Sequence, residues 1–523
     1  MTIRRAVRRL DLYACNPKSF TSLAGSSQRL FQSNLNYRNL RNDPSHIQSN
    51  LTARRITDIN LAHIISLNNT VSKCEFEVSE LRKRRNQIAA DMAELVKQMA
   101  RLTKSNASAD AIRACVATKT RLIQAGKNIK QQVQATEETL SKLHNDLFNE
   151  AKHLPNDVHP SVPVGDESKA VLVDTIGSPR TLESNLLMGS QSPLKTHLTL
   201  AELHDMVDID RAGKVSGSRF YYLRNAGAML EMALVRYAMD ICIQRGFTPV
   251  LVPDLIRHEV LEACGFSPRS DDPQTYYVST CVPGKDITNT DNPMTLCLSA
   301  TAEFPLAGKY AGEVLDHLPI NMSGMGRAFR AEGLSGSTNR GLYRVHQFTK
   351  VELFTLARPT ESMNVFHHFI QIQKEIFQGL EICFRILNMP TEELGAPAYI
   401  KYDMEAWMPG RNAWGEISST SNCTDYQSRR LNIRCFPQSG ASNESSNAPD
   451  VDTHTATEFV HTINGTACAV PRLMIALLET HQLPDGSIRI PEKLRKYFLG
   501  AHVDVLPVGK RIDQLMAQST SAK

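Results

Sequence analysis

A heptad pattern of apolar residues in the first third of the chain constrains the fold most strongly. From residue 67 to residue 102 two interleaved apolar series repeat every seven positions, and only Arg85 interrupts them. A run of equal length, from 112 to 147, follows the short polar segment 103–111. Heptad repeats are typical of paired helices, and two equal runs with a short connection predict an antiparallel helical hairpin.

The residues expected in the seam of this hairpin are mostly aliphatic. The first helix supplies Leu67, Val71, Cys74, Val78, Leu81, Ile88, Met92, Leu95, Met99 and Leu102. The second supplies Ile112, Val133, Leu140 and Leu147 at one heptad position, with Val116 and Ile123 at the other. The middle of the second helix is weaker, since Lys119, Gly126 and Lys130 occupy seam positions in this register.

The outer part of the hairpin is strongly basic. Residues 82–130 contain twelve lysines and arginines, three acidic residues and no aromatic residue. A long basic arm favours an RNA partner, and the lack of aromatic side chains favours backbone contacts over base stacking. A solvated dimerisation coiled coil is the alternative. The candidate RNA-binding residues are Arg82, Lys83, Arg84, Arg85, Arg101, Lys104, Arg113, Lys119, Arg121, Lys127 and Lys130.

Residues 329–352 alternate charged and apolar side chains on both sides of a Gly/Ser-rich gap. The alternation predicts a strand, a loop at 333–339 and a returning strand. Charged side chains on a buried hairpin are costly unless a ligand satisfies them. Arginine suits phosphate, glutamate suits amines, and Phe348 offers a flat face for a base. The segment therefore favours a nucleotide together with an amine-bearing substrate, and a hairpin with a solvated charged face is the alternative.

The same segment resembles motif 2 of the class II aminoacyl-tRNA synthetases, and within that class it resembles the seryl-tRNA synthetases. Residues 464–482 resemble motif 3, residues 416–430 the ATP-side strand, and residues 301–303 the serine-binding loop. Residues 246–256 are similar to motif 1. The resemblance implies an α+β fold, in which an N-terminal antiparallel coiled-coil arm is joined to a catalytic antiparallel β-sheet flanked by helices. It also implies a homodimer formed through motif 1.

The resemblance further implies that the chain activates L-serine with ATP and transfers it to tRNA(Ser), with tRNA(Sec) as a further candidate acceptor. Arg330, Glu416 and Arg472 are the expected catalytic residues. Arg330 would bridge the α-phosphate and the serine carboxylate, and Arg472 would hold the far phosphates. Glu416 and Ser419 would hold Mg²⁺ through ATP. The whole ATP side comprises Arg330, Ala331, Glu332, Val345, His346, Gln347, Phe348, Glu416, Ile417, Ser418, Ser419 and Arg472.

The serine side follows from the same resemblance. Thr301 and Glu303 would take the ammonium, and Glu352 with Thr466 or Asn464 would take the hydroxyl. The full serine set is Thr301, Ala302, Glu303, Arg330, Glu352, Asn464 and Thr466. Two rival functions stay open: a catalytically silent relative that binds RNA or a partner synthetase, and a class II ligase for another amino acid or for an acceptor other than tRNA.

Cysteine usage and hydropathy exclude several other classes of protein. Eleven cysteines are scattered without a C-x-x-C pair, which argues against both a zinc site and a disulfide framework. No zinc is expected. No apolar stretch reaches the roughly 20 residues that span a bilayer, so no membrane contact is expected.

The start of the chain is basic and almost free of acidic residues. Residues 1–41 contain eight basic residues and one acidic residue. An arginine- and serine-rich start of this kind is typical of a mitochondrial presequence, with an RNA-binding basic tail as the alternative. We therefore expect a mitochondrial matrix protein.

The predicted domains are a presequence with a disordered start, a helical tRNA-binding arm, a linker, a class II catalytic domain and a C-terminal tail. Their predicted bounds are 1–45, 46–158, 159–200, 201–505 and 506–523. Residues 438–456 are rich in serine, asparagine and aspartate, which predicts a surface insertion within the catalytic domain.

Overall fold

The computed structural model describes residues 34–104, 108–181, 194–266, 274–278, 295–332, 341–437, 457–498 and 503–509. Most of the predicted presequence, the loop 333–339, the insertion 438–456 and most of the predicted tail lie outside the described residues. The chain divides into two compact units, Leu35–Leu154 and a second unit that contains the other described residues. A search of the described helices finds none that is long and apolar enough to cross a membrane.

The first unit consists of helices, two of them long. Its described helices are α1 (Arg38–Asn42), α2 (Pro44–Ala53), α3 (Leu61–Lys104) and α4 (Ala109–Ala151). Contacts between the long helices run in opposite directions along the chain. Cys74 lies against the backbone of Thr136, and further along α3 Ile88 lies beside Gly126. The predicted antiparallel hairpin is confirmed.

The seam of α4 differs from the predicted one. Val133 is buried as expected, and so are Cys115 and Ile129. Ile112, Val116 and Ile123, predicted in the seam, are instead 41%, 49% and 44% exposed. The second heptad position of α4 therefore begins one residue earlier than predicted. Steps of three and of four residues both complete about one helical turn, so the apolar pattern alone does not choose between them.

The second unit combines short helices with many strands. Its described helices are α5 (His197–Leu203), α6 (Ile209–Ser216), α7 (Asn225–Gln244), α8 (His258–Ala263), α9 (Glu303–Gly308), α10 (Ser362–Gly379), α11 (Tyr426–Leu431), α12 (Val470–His481) and α13 (Glu492–Arg495). Its described strands are β1 (Val171–Ile176), β2 (Val207–Asp208), β3 (Tyr222–Leu223), β4 (Thr248–Leu251), β5 (Leu255–Arg257), β6 (Tyr277–Val278), β7 (Leu296–Leu298), β8 (Val314–Leu315), β9 (Ile320–Phe329), β10 (Gln347–Ala357), β11 (Phe384–Asn388), β12 (Ile400–Met408), β13 (Ala413–Asn422), β14 (Arg434–Cys435), β15 (Glu458–Phe459), β16 (His461–Ala469), β17 (Ile488–Arg489) and β18 (Val505–Leu506).

Eight strands form one large sheet in the order β1-β11-β12-β13-β16-β10-β9-β4. Neighbouring strands are antiparallel, except that β4 at one edge runs parallel to β9. Helices α7, α10 and α12 contribute Leu230, Phe369 and Met474 to the core against the sheet, which contributes Phe384. The predicted α+β fold, an antiparallel sheet flanked by helices, is confirmed.

The predicted charged hairpin forms, but its strands are shorter than expected at the loop end. Phe329 at the end of β9 pairs with Gln347 at the start of β10. The N–H of Arg330 continues the ladder by one bond, whereas the N–H of Ala331 donates to Gln274. The chain therefore leaves the ladder where the predicted ATP-binding residues begin.

Candidate active site

An open cavity lies between β10, β13, β16 and the start of α12. Its lining combines arginines and glutamates with two aromatic rings, and so it suits a charged ligand with a flat group. The lining residues are Arg330, Glu332, Leu342, Tyr343, Arg344, Val345, Phe348, Lys350, Glu416, Ile417, Ser418, Ser419, Thr466, Ala469, Pro471 and Arg472.

Arg330 provides a partly buried cation beside an aromatic ring. Its guanidinium carbon lies 5.4 Å from the centre of the Phe348 ring. Its Nε atom is buried and has no hydrogen-bond partner among the residues that the structure describes. Burial lowers the pKa of Arg330, and the charge of Arg472 lowers it further. A buried donor without a partner is unfavourable by itself, so this guanidinium is suited to an anion.

Arg472 and Glu416 form an ion pair on another wall of the cavity. Nη1 of Arg472 lies 3.0 Å from a carboxylate oxygen of Glu416, and Nε of Arg472 donates to the backbone oxygen of Tyr343 at 3.3 Å. Burial by itself would raise the pKa of Glu416, but the charges of Arg472 and Lys401 lower it to about 2. Glu416 therefore remains ionised at every physiological pH.

Glu416 and Ser419 reach the same cavity because β13 contains a β-bulge. The ladder between β12 and β13 skips Ile417, which has no partner on β12. Side chains three positions apart on a regular strand point to opposite faces of the sheet. The extra residue brings Glu416 and Ser419 to one side. Their oxygen atoms together suit a hard cation such as Mg²⁺.

Glu352 is the centre of the predicted serine side. It is 2% exposed, it accepts a hydrogen bond of 2.5 Å from the hydroxyl of Thr301, and it forms an ion pair with Lys350. Thr466 pairs with Glu352 across the ladder between β10 and β16. Because Lys350 and Thr466 also line the cavity, the predicted serine side is continuous with the predicted ATP side.

Glu303 adds a second carboxylate to the predicted serine side. Its Oε1 accepts hydrogen bonds from Gln427 at 2.6 Å and from Asn464 at 3.1 Å. The pKa of Glu303 is raised to about 7. Burial is the main cause and the charge of Glu352 adds to it, whereas the hydrogen bond from Gln427 acts in the opposite direction. A cation near both carboxylates would favour their ionised forms, so this corner suits an ammonium group.

Two sequence families match the chain. The family of the seryl-tRNA synthetase N-terminal domain matches residues 35–158, and the tRNA synthetase class II core domain (G, H, P, S and T) matches residues 287–481. A serine–tRNA ligase of Rhodopirellula baltica is 42% identical over 382 residues, which are 72% of this chain and 82% of that protein. The chain belongs to the seryl-tRNA synthetase family.

Other members of the seryl-tRNA synthetase family are similar to the chain in sequence and in structure. The mitochondrial serine–tRNA ligase of Schizosaccharomyces pombe is 40% identical over 383 residues, which are 72% of this chain and 73% of that protein. The crystal structure of seryl-tRNA synthetase from Pyrococcus horikoshii complexed with ATP has a TM-score of 0.73 and 33% identity, over 91% of this chain and 100% of that one. The predicted family and fold are thereby confirmed, and the chain is an ATP-dependent serine–tRNA ligase of class II.

The structure separates the ATP-side residues that the seryl-tRNA synthetase resemblance implies into two groups. Arg330, Glu332, Val345, Phe348, Glu416, Ile417, Ser418, Ser419 and Arg472 line the cavity. Within this group the hydroxyl of Ser418 already donates to the backbone of Thr466 at 2.6 Å. Ala331, His346 and Gln347 lie outside the described lining. Nδ1 of His346 lies 2.9 Å from the hydroxyl of Tyr276 and 2.9 Å from the backbone oxygen of Arg330, so this imidazole contacts the segment that carries Arg330.

On the serine side, Ala302 is buried and packs near β9. It is 3% exposed, and a Cβ added at Gly324 on β9 would lie 3.3 Å from its methyl group. Lys350 and Gln427 are site residues that were not predicted. Lys350 follows Phe348 at period two along β10, and this alternation is a signal that identifies it. Gln427 reaches Glu303 only through the packing of α11 near α9, for which the sequence carries no local signal.

The eleven predicted RNA-binding residues are all exposed on α3 and α4. Three are neutralised in ion pairs: Arg82 with Glu137, Lys83 with Glu80, and Arg113 with Asp110. Within the described part of the chain, the other eight have no carboxylate at ion-pair distance. The arm therefore presents uncompensated positive charge.

The nine cysteines in the described residues are free and buried. Over the same residues, no group of three or more histidine, cysteine, aspartate or glutamate side chains is arranged to hold a metal ion.

Proposed function

We propose that the chain activates L-serine with ATP, forming seryl-adenylate and pyrophosphate, and then transfers serine to the 3′ end of mitochondrial tRNA(Ser). The observation that carries this proposal is the continuity of the two polar sides. Lys350 lines the phosphate-side cavity and also forms the ion pair with Glu352 in the amino-acid corner. Adenylate formation requires an amino-acid carboxylate to be held next to an α-phosphate, and adjoining sites meet that requirement.

Activation brings two anions together, because the serine carboxylate attacks the α-phosphate. Arg330 is assigned to both of these anions, and Arg472 to the phosphates that leave. Cations fixed in position before the reaction stabilise the developing charge without reorganisation of the site. Glu332 is assigned to the adenine amino group, and Phe348 to the adenine ring.

Glu416 and Ser419 are assigned to Mg²⁺ bound with ATP. Their oxygen atoms face the same cavity, and the lowered pKa of Glu416 keeps its carboxylate charged. The ion would neutralise phosphate charge and polarise the reacting phosphate. The ion pair with Arg472 holds the Glu416 side chain in place for this task.

Serine selection is assigned to the two carboxylates. Glu352, together with Thr466 or Asn464, would bind the hydroxyl of serine through hydrogen bonds. Glu303 and Thr301 would take the ammonium. Alanine lacks the hydroxyl that Glu352 would bind, and a site built to hydrogen-bond a substrate hydroxyl rejects such an analogue by on the order of 10⁴-fold.

The second step uses tRNA, whose binding is assigned to the basic arm. The eight uncompensated cations on α3 and α4 support contact with a polyanion. In this proposal serine passes to the terminal ribose hydroxyl without a dedicated protein base. The same arm makes tRNA(Sec) a second acceptor to test.

The assembly and location belong to the proposal as well. A homodimer is assigned to motif 1, where Leu251 is 77% and Leu255 46% exposed and β4 is an edge strand of the large sheet. Large apolar side chains beside an open edge favour burial against a second copy. The basic start and the mitochondrial relative in Schizosaccharomyces pombe support a matrix protein. The domain bounds given above remain part of this proposal.

Serine-dependent ATP–pyrophosphate exchange, followed by charging of mitochondrial tRNA(Ser) and tRNA(Sec) transcripts, tests the proposal. We expect exchange with serine, much weaker exchange with threonine, alanine and glycine, and charging of tRNA(Ser). A folded sample without exchange would instead support a silent RNA-binding relative. Equal exchange with another amino acid would contradict the assignment of Glu352.

A further inference from the structure

The turn between β12 and β13 carries an arginine beside the ATP-side cavity. The guanidinium carbon of Arg411 lies 4.0 Å from the centre of the Tyr343 ring, and that of Arg472 lies 4.7 Å from the same centre. Both Tyr343 and Arg472 line the cavity. Two cations on one ring repel each other unless anions lie nearby. Glu416 balances Arg472, whereas no carboxylate in the described residues lies at ion-pair distance from Arg411.

The guanidinium of Arg411 also has unused hydrogen-bond donors. Its described partner is the sulfur of Met408 at 3.7 Å, which is a weak acceptor. A guanidinium group carries five N–H donors in a planar fork that matches phosphate oxygens. Arg411 is therefore equipped to bind an anion from outside the protein.

A buried carboxylate accepts hydrogen bonds that fix the backbone of this turn. Glu479 on α12 is fully buried and accepts hydrogen bonds from the N–H groups of Gly410 at 2.9 Å and Arg411 at 3.2 Å. Its other oxygen accepts from the N–H of His197 at 2.9 Å. A Cβ at Gly410 would lie 2.4 Å from the backbone oxygen of Lys195, so only glycine allows this close approach. Arg411 is thus presented from a rigid support, as ligand-binding groups commonly are.

The strand that carries Glu416 has no space to supply such a cation itself. A Cβ at Gly415 would lie 2.9 Å from Cε2 of Tyr343 and 2.8 Å from the terminal methyl group of Met408. The position before Glu416 therefore has to remain without a side chain while Tyr343 fills that space. The Tyr343 ring that fills this space is the ring on which Arg411 and Arg472 lie.

We propose that Arg411 binds the β- and γ-phosphates of ATP, and the pyrophosphate product, together with Arg472. The proposal rests on the function proposed above, in which Arg330 holds the α-phosphate and Arg472 the far phosphates. Because AMP and seryl-adenylate lack the β- and γ-phosphates, Arg411 makes no contact with either of them. Arg411 thus distinguishes the triphosphate from the monophosphate within one cavity.

The test measures binding of ATP and of AMP to the full chain by calorimetry, in the presence of Mg²⁺, for the wild type and R411M. We expect R411M to weaken ATP binding by roughly tenfold, as expected for the loss of a charged hydrogen bond, and to leave AMP binding unchanged. The KM for pyrophosphate in the exchange assay should rise by a similar factor, with the KM for serine unaltered. R385M is the matched control, because Arg385 also lies over an aromatic ring, Trp414, but is paired with Glu405.

Two binding results would overturn the proposal. Equal weakening of ATP and AMP in R411M would mean that Arg411 acts through the ring of Tyr343 and does not touch the phosphates. Unchanged ATP binding would mean that Arg411 does not reach the nucleotide. The proposed function fails in a different way: a wild-type protein that binds ATP more tightly than R411M but shows no serine-dependent exchange would contradict that function and support the role of Arg411.

Discussion

Nη1 of Arg472 and a carboxylate oxygen of Glu416 lie 3.0 Å apart, and this ion pair joins the start of α12 to the bulged strand β13. The charge of Arg472 is one of the causes that lower the pKa of Glu416 and keep its carboxylate ionised. The ion pair also means that each partner holds the other in place inside the cavity.

Replacing Glu416 by glutamine should reduce serine-dependent exchange by about 100-fold, because a fixed charge at the phosphates is removed. The concentration of Mg²⁺ that gives half-maximal exchange should rise at the same time. An unchanged Mg²⁺ requirement would remove Glu416 from the proposed cation site.

Replacing Arg330 by alanine should lower exchange by at least about 10³-fold, because its guanidinium is the cation assigned to the α-phosphate. Arg245→Ala is a suitable control, since Arg245 is half exposed and paired with Glu375. Near-normal exchange in the Arg330 variant, measured on protein with wild-type thermal stability, would overturn its assignment.

Glu303 should give serine activation a pH dependence near neutrality. Its folded-state pKa is raised to about 7, so the carboxylate assigned to the ammonium becomes protonated below that pH. We expect kcat/KM for serine to fall as the pH decreases through about 7. In Glu303→Gln the value should be low and this inflection should be absent, whereas an inflection that persists would assign it to another group.

The same group makes a prediction about stability, with the opposite direction in pH. The folded chain holds a proton on Glu303 that the unfolded chain releases between pH 4.5 and about 7, because the folded-state pKa is raised. The contribution of this proton to the free energy of unfolding is therefore complete below pH 4.5, and it disappears as the pH rises through about 7. Urea unfolding should show Glu303→Gln gaining stability relative to the wild type between pH 5 and pH 8.

Arg84 and Arg85 should contribute to tRNA binding and not to exchange. Both are exposed and lack a described carboxylate partner, whereas the neighbouring Lys83 is paired with Glu80. The double alanine variant should bind tRNA(Ser) more weakly, and the slope of log K against log salt should become shallower by about 1 for each phosphate that is no longer neutralised. Lys83→Ala serves as the control, and an unchanged slope in the double variant would return the arm to a dimerisation role.

Placing a charge on the edge strand should separate the proposed dimer. Leu251→Glu puts a carboxylate at a position that is 77% exposed in the single chain, so the fold should be retained. Analytical ultracentrifugation should then find a monomer where the wild type is a dimer. A wild-type monomer, or a variant that remains a dimer, would exclude motif 1 as the interface.

The sequence predicts the elements and the residue types of the site better than it predicts how they converge. Arg330 and Arg472 are recognisable because each lies in a short contiguous motif. The convergence of Glu416 and Ser419 depends on the extra residue Ile417, and period-two alternation would place them on opposite faces. A second bulge lies in the ladder between β10 and β16, where Val351 pairs with Cys468 and Glu352 with Thr466. The extra residue is on β16, and it shifts the face to which the serine-side residue Thr466 points. Bulges depend on the neighbouring strand, which a single sequence does not identify.

The helical arm shows a related limit. The heptad pattern predicts both long helices and their antiparallel pairing, because those properties follow from periodicity and from the short connection. The choice between Cys115 and Val116 as a seam residue depends on the position of the partner helix. A valine is more apolar than a cysteine, and local hydrophobicity therefore favours the wrong residue.

The burial of the cysteines bears on chemistry in an oxidising environment. Peroxide attacks thiolates, and burial raises the pKa of Cys242, Cys264 and Cys468, so these groups stay protonated while the fold is intact. Their oxidation has to wait until the surrounding core opens. Thiol labelling at these positions would therefore report local unfolding, and peroxide would reach the cysteines of the least stable regions first.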